Sequence, residues 1–148
     1  MPPDFDRVAD YIRETSEADI MPRFRSLAAH EVTEKKPGDV VTVADHDAEE
    51  RLTKMLEGLT PGALIVGEEA AHTKPHLLDR LDEEQGPLWI IDPVDGTANF
   101  AAGRPVFAVM VAYVESRESR LGWIYDPVQV VMSEAELGAG ARRYGKPL

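Results

Sequence analysis

"WIIDPVDGTANF", residues 89–100, sets an apolar run, two acids three residues apart, a proline, a glycine and a threonine side by side. Its first half reads as a buried strand and its second as a tight turn, since Pro, Asp and Gly supply turn geometry without any chemistry. Asp92 stands where the apolar run stops, and Pro93 fixes the next φ, so Asp95 comes round a stiff corner toward the same volume. Two carboxylates brought that close repel, and each raises the other's pKa unless a cation neutralises the pair. A hard divalent ion such as Mg²⁺ fits, because it takes carboxylate, carbonyl and water oxygens, and the turn exposes the carbonyl of Val94 between the acids. Gly96 lets backbone approach a ligand, the amides of Gly96, Thr97 and Ala98 face an anion if a helix begins there, and Thr97 adds a hydroxyl. Taken alone, these residues leave a structural turn and an ion-and-phosphate site equally open.

The flanking chain supplies the frame. "ALIVG" (63–67) is a short buried strand that empties into Glu68 and Glu69, and Glu68 joins the two acids if this strand lies beside "LWIID" (88–92). "DVVTVAD" (39–45) leads into a helical pattern with Ala48, Leu52, Met55 and Leu56 on one side, where Thr42 and Asp45 form a capping box and Glu50 with Lys54 an i,i+4 pair. Phe5, Val8, Ile12, Ile20, Phe24 and Leu27 predict a single amphipathic helix over 4–29, and "EKKPGD" (34–39) reads as loop. "PHLLDRLDEEQG" (75–86) is a short helix on Leu77, Leu78 and Leu81. "PVFAVMVAYVES" and "RLGWIYDPVQ" form a hairpin with a well-buried first strand, and the tail adds one or two strands. The fold class expected is α+β, with two long helices packed on a mixed, largely antiparallel sheet in one domain over 1–148.

Composition narrows the function. The 148 residues are 43% hydrophobic and 29% charged, and 27 acids against 16 Lys and Arg leave a net charge of -11. That balance argues against a nucleic acid partner, which needs clustered Lys and Arg, and makes an anionic substrate depend on intervening cations. The absence of cysteine excludes disulfides, thiolate zinc sites and thiol nucleophiles. No signal peptide or membrane-length apolar run is visible, so no membrane partner is expected and a cytoplasmic location is. His30, His46, His72 and His76 share no spacing and read as surface residues, Trp89 and Trp123 as core, Glu69 as a solvated neighbour of Glu68, and Arg142, Arg143 and Lys146 as a solvated basic end.

Spacing and residue type tell against several rivals. An EF-hand from Asp92 would put Gly103 where a bidentate Glu is required. A haloacid dehalogenase type of phosphatase uses an Asp-x-Asp-Gly-Thr stretch, and here the acids are one residue too far apart. "GARRYGKP" (140–147) matches a P-loop except that Pro replaces the final Ser or Thr.

"WIIDPVDGTANF" closely resembles the signature of the inositol monophosphatase family, lithium-sensitive Mg²⁺-dependent phosphatases acting on small phosphate monoesters. "GDVVTVADHDAEERL" resembles the family's Asp-Leu-Val-Thr-x-x-Asp stretch, "LIVGEEA" its Gly-Glu-Glu segment and, more loosely, "GAGARRYGKPL" its Gly-rich strand turn. The resemblance implies the first αβ half of a layered αβαβα fold, and Mg²⁺ as cofactor. It implies that Glu68, Asp92 and the Val94 carbonyl hold one ion while Asp92 and Asp95 share a second. It also implies that Thr97 with Asp45 orients and deprotonates the attacking water, which Glu68 helps to hold, and that the amides of Gly96 and Thr97 hold the phosphate beside Val94 and Asp95. The family threonine after Thr97 is Ala98 here. The partner implied is a small phosphorylated metabolite: an inositol phosphate, or alternatively histidinol phosphate, fructose bisphosphate or a nucleotide 3′-phosphate. The full-length fold would be a homodimer. Family members continue into a second half whose Trp-Asp-x-Ala-Ala-Gly motif completes the second metal site, and "AAG" at 101–103 is not that motif because "NF" precedes it. The resemblance therefore covers the metal-binding half, with an impaired second metal site expected, and a non-catalytic Mg²⁺- or partner-binding module is the alternative function.

Overall fold

The apolar stripe Phe5, Val8 and Ile12 starts the chain as helix α1 (Phe5–Thr15), with the Asp4 carboxylate accepting from the amides of Asp6 and Arg7 at 3.1 Å. The computed structural model describes residues 2–148. The single helix expected over 4–29 is not formed. After Thr15 the backbone widens into a π turn (Ser16–Ile20), tightens into a 3₁₀ turn (Met21–Arg23) and is extended at Phe24. Two residues explain this: Ser16 donates its hydroxyl to the Ile12 carbonyl at 3.0 Å, which competes with the helical ladder, and Pro22 has no N–H to continue it. The stripe still finds the core, since Ile20 is buried and Phe24 and Leu27 pack against it.

"EKKPGD" is the tip of a hairpin rather than a plain loop. Strands β1 (Val32–Lys36) and β2 (Asp39–Thr42) pair antiparallel across Pro37 and Gly38, whose φ of +81° suits glycine. Charged residues on both faces of β1 hide the alternation that marks a strand. Helix α2 (Val43–Leu59) follows, with Ala44, Ala48, Leu52 and Leu56 buried. The exposed Glu50–Lys54 pair closes at 2.9 Å.

The main sheet contains β3 (Leu64–Gly67), β4 (Leu88–Asp95), β5 (Ala108–Glu115), β6 (Glu118–Asp126), β7 (Val131–Glu136), β8 (Gly140–Arg143) and β9 (Lys146–Pro147), in that spatial order. β3 runs parallel to β4, through a crossover containing α3 (Glu68–Thr73) and α4 (His76–Glu83), and the other neighbours are antiparallel. The sheet is therefore mixed and largely antiparallel, as expected, although the tail after β6 supplies three strands rather than one or two.

α1 and α2 cover one face of this sheet. Trp89 and Ile91 from β4, Val109, Val111 and Tyr113 from β5, and Leu121, Trp123 and Tyr125 from β6 form the core beneath them. Trp89 stacks obliquely on Tyr113 and Trp123 at 4.9 and 5.9 Å between ring centres, and its Nε1 donates to the Thr60 hydroxyl at 2.7 Å. The opposite face carries Ile90, Met110, Ala112 and Ile124. Ile90 and Ile124 remain 39% and 49% exposed there. β5 is apolar on both faces, as a doubly covered strand would be, yet only one face is covered within the described residues.

Arg142 corrects the reading of a solvated basic end: it pairs with the buried Glu134 and with Asp6, and lies over the Phe5 ring. All four histidines are exposed and both tryptophans buried, as expected.

Candidate active site

The unbroken apolar run of β4 stops at Asp92, and Pro93 cannot donate to the ladder there. The pairing shows the result: Asp92 faces Met110 and Asp95 faces Ala108, three steps on β4 against two on β5. This one-residue bulge holds Pro93 and Val94 and bends the strand before Asp95 pairs again with Ala108. Gly96 then turns the chain with φ +94° and caps helix α5 (Thr97–Ala101). A side chain there would meet the Val106 carbonyl at 2.8 Å, so both the dihedral and the close approach of β5's leader demand glycine.

Parallel pairing sets Gly67 opposite Ile91, so Glu68 and Asp92 emerge side by side at the carboxyl ends of β3 and β4. In open sheets that end is where ligands are bound. The Asp92 carboxyl is pushed up to about 8, first by burial, then by the Glu68 carboxyl within proton-sharing reach and by the charges of Asp95 and Asp45. Its Oδ1 is buried and has no hydrogen-bond partner among the described residues. A buried, unpartnered carboxylate oxygen beside three other acids is the situation that a cation relieves.

A second cluster lies beside the first. Asp45, wholly buried, accepts from the Thr42 amide and hydroxyl through Oδ2 at 2.8 Å each, closing the expected capping box. Its Oδ1 stands 2.8 Å from the Thr97 hydroxyl, which is also 2.8 Å from the Val94 carbonyl. Thr97 has one proton for these two acceptors. Burial raises the pKa of Asp45 against the opposing hydrogen bonds from Thr42 and Thr97. Both roles foreseen for Asp45, cap and site residue, are thus sterically compatible.

The structure brings Asp45, Val94 and Thr97 into direct hydrogen-bonded contact and places Glu68, Asp92 and Asp95 in electrostatic contact. Among the described residues no three His, Cys, Asp or Glu side chains form a ready-made metal cluster. Mg²⁺ is compatible with such a sparse set, because it binds through one or two carboxylates and keeps several waters.

Glu69 departs from its expected solvated state. It is 5% exposed, and Lys35 Nζ lies 3.3 Å from both of its carboxylate oxygens. At a helix start successive side chains point about 100° apart, so Glu69 turns inward while Glu68 stays exposed. Burial would lower the pKa of Lys35, but the charge and hydrogen bond of Glu69, with Asp39 and Glu68, leave it above the ordinary value. Glu49 is a further residue of this region that the sequence motifs do not mark. It is buried and accepts from the amides of Glu69 and Ala70 at 2.8 and 2.9 Å. The available signal was an acid one turn after Asp45, beside Ala48 and Leu52 on the apolar side of α2.

Known proteins share this fold. The sequence profile of the inositol monophosphatase family matches residues 8–148. The chain is 37% identical over 109 residues to the inositol-1-monophosphatase of Bacillus subtilis, covering 74% of this chain and 39% of that protein. The solved structure of Thermotoga maritima IMPase superposes with a TM-score of 0.79 at 32% identity, covering 97% of this chain and 53% of that one. An IMPase/NADP phosphatase complexed with Mg²⁺ and phosphate has a TM-score of 0.77 at 22% identity over 96% of this chain and 51% of its own, a likeness of fold. The chain spans about two fifths of the length of the curated relative and about half of the solved chains. With motifs, fold and profile in agreement over nearly every residue, the chain belongs to the inositol monophosphatase family.

Proposed function

We propose that this chain carries the metal-binding part of a Mg²⁺-dependent phosphatase that hydrolyses a small phosphate monoester, an inositol phosphate first among them. The observation that carries the reading is the orphaned Asp92 Oδ1 beside Glu68, a few residues from a threonine hydroxyl held by a buried carboxylate. Glu68, Asp92 and the Val94 carbonyl are the residues to hold one Mg²⁺, and Asp92 with Asp95 a second. Bound there, the ions supply charge neutralisation for the phosphate oxygens and a lowered pKa for a coordinated water.

The chain's own residues do the rest. Thr97, donating its proton to Asp45, turns its lone pairs toward the incoming water and fixes the direction of attack. Asp45, whose pKa burial has raised, is the terminal acceptor for the water proton passed through that hydroxyl. Gly96 keeps the amides of residues 96 and 97 open to the phosphate, since a side chain would close the gap against the Val106 carbonyl. The acids repel an anion when no cation is present, so the net charge of -11 is consistent with cation-dependent substrate binding.

A second reading has its own support. The apolar open face of the sheet, with Ile90 and Ile124 exposed, favours a Mg²⁺- or partner-binding module without catalysis of its own. Phosphate release separates the two. Hydrolysis of inositol 1-phosphate should require Mg²⁺, be inhibited by lithium, vanish in Asp95→Asn and fall about 10²-fold or more in Thr97→Val while Thr97→Ser keeps most of it. If a folded, Mg²⁺-loaded chain extended through any downstream coding sequence frees no phosphate from small monoesters, the enzymatic reading is wrong.

A further inference from the structure

α3 begins without the usual means of doing so. It is six residues long, too short to hold itself, and its N-cap is Gly67, which has no side chain to accept from the first free amides. The missing acceptors come from another helix. Glu49 of α2 sends Oε1 to the Glu69 amide at 2.8 Å and Oε2 to the Ala70 amide at 2.9 Å, so each oxygen takes one orphan donor. Its carboxylate occupies the space where a side chain on residue 67 would start: a Cβ there would collide with Cδ and both oxygens of Glu49. Gly67 and Glu49 are therefore a matched pair, one leaving the room that the other fills.

Asp45 stands one turn earlier on the same side of α2 and holds Thr97. α2 thus grips both turns that converge on the site, the β4–α5 turn through Asp45 and the β3–α3 turn through Glu49. We infer that Glu49, accommodated by Gly67, is a positioning residue that fixes the first turn of α3 so that Glu68 faces Asp92. This rests on the reading of Glu68 and Asp92 as Mg²⁺ ligands. Removing such a support behind a ligand weakens metal affinity by about 10–100-fold.

Two measurements test it. In the wild-type chain, hydrogen exchange at the Glu69 and Ala70 amides should be slow relative to exposed amides of α4, without any metal; exchange as fast as theirs overturns the inference. In calorimetric Mg²⁺ titration, Glu49→Gln keeps the volume but replaces one acceptor by an NH₂ group, and should weaken binding about 10–100-fold. Gly67→Ala displaces the carboxylate from the other side and should do the same, whereas Glu50→Gln, at an exposed position paired with Lys54, should bind as wild type does. Wild-type affinity in a folded Glu49→Gln or Gly67→Ala overturns the positioning role alone. If the wild-type chain takes no Mg²⁺, the reading of the metal ligands falls and the positioning role falls with it.

Discussion

At the scale of single residues, the acids explain the site better through their differences than through their number. Glu68 is exposed, Glu69 is sealed against Lys35, Asp45 is wholly buried and Asp92 is half-buried with one orphaned oxygen. Asp92 carries the clearest consequence. Its folded pKa of about 8 lies far above the ordinary Asp value near ~3.9, so the metal-free folded state binds a proton that the unfolded chain has released. The stability this contributes is fully present below about pH 4, falls as pH rises and is gone above about pH 8. Thermal denaturation without metal should therefore show wild type losing Tm between pH 5 and 8 relative to Asp92→Asn, and added Mg²⁺ should raise the wild-type Tm most at the upper end. Equal pH slopes for the two proteins would remove the raised pKa, and with it the main electrostatic reason for a cation there.

At the scale of elements, turns and caps set the geometry. Gly96 is held at φ +94° against the Val106 carbonyl, so Gly96→Ala should cost about 1–3 kcal/mol in chemical denaturation and disturb both ends of the β4–α5 turn. A loss below a few tenths of a kcal/mol would mean that the turn adapts. Thr42 caps α2 and also donates its hydroxyl to Asp45. Thr42→Ala should therefore cost about 1 kcal/mol as a lost cap, and should lower phosphate release as well, because Asp45 loses a partner that steadies it before Thr97. Thr42→Ser, which retains the hydroxyl, should recover most of both. The sequence pattern revealed α2, its capping box and the buried strand that delivers Asp92, but it placed the turn too early, since β4 runs on through a bulge to Asp95 and the chain turns only at Gly96. It misjudged 4–29 as one helix, because a stripe with helical spacing persists through a π turn and a 3₁₀ turn that bury the same face. It also missed the β1–β2 hairpin, whose charged residues show no alternation.

For the whole molecule, the two faces of the sheet differ in what covers them. Trp123 and Ile124 are neighbours on β6, yet Trp123 is 1% exposed beneath the helices and Ile124 is 49% exposed on the open side. Trp123→Ala should cost about 3–5 kcal/mol, while Ile124→Lys should change stability by no more than about 0.5 kcal/mol and reduce binding of an apolar fluorescent dye. Urea denaturation and dye fluorescence would show it; comparable destabilisation by both substitutions would mean that the open face is packed in solution. Asp92 and Asp95 border the hollow on this same face, about 590 Å³ in volume, so the candidate site and the uncovered sheet are contiguous.

The sequence by itself determined the strand that delivers Asp92, the glycine turn that ends it, the cap that starts α2 and the family to which the chain belongs, because each depends on motifs whose residues lie within a few positions of one another. Only the tertiary structure decided which acids meet. The parallel register of β3 and β4 sets Glu68 beside Asp92, the packing of α2 carries Asp45 to Thr97 across 52 residues, and Glu49 reaches the amides of α3 across 20 and 21. The hydrogen bonds and charges that shape the site join residues distant in the chain, and a carboxylate's burial depends on what folds over it.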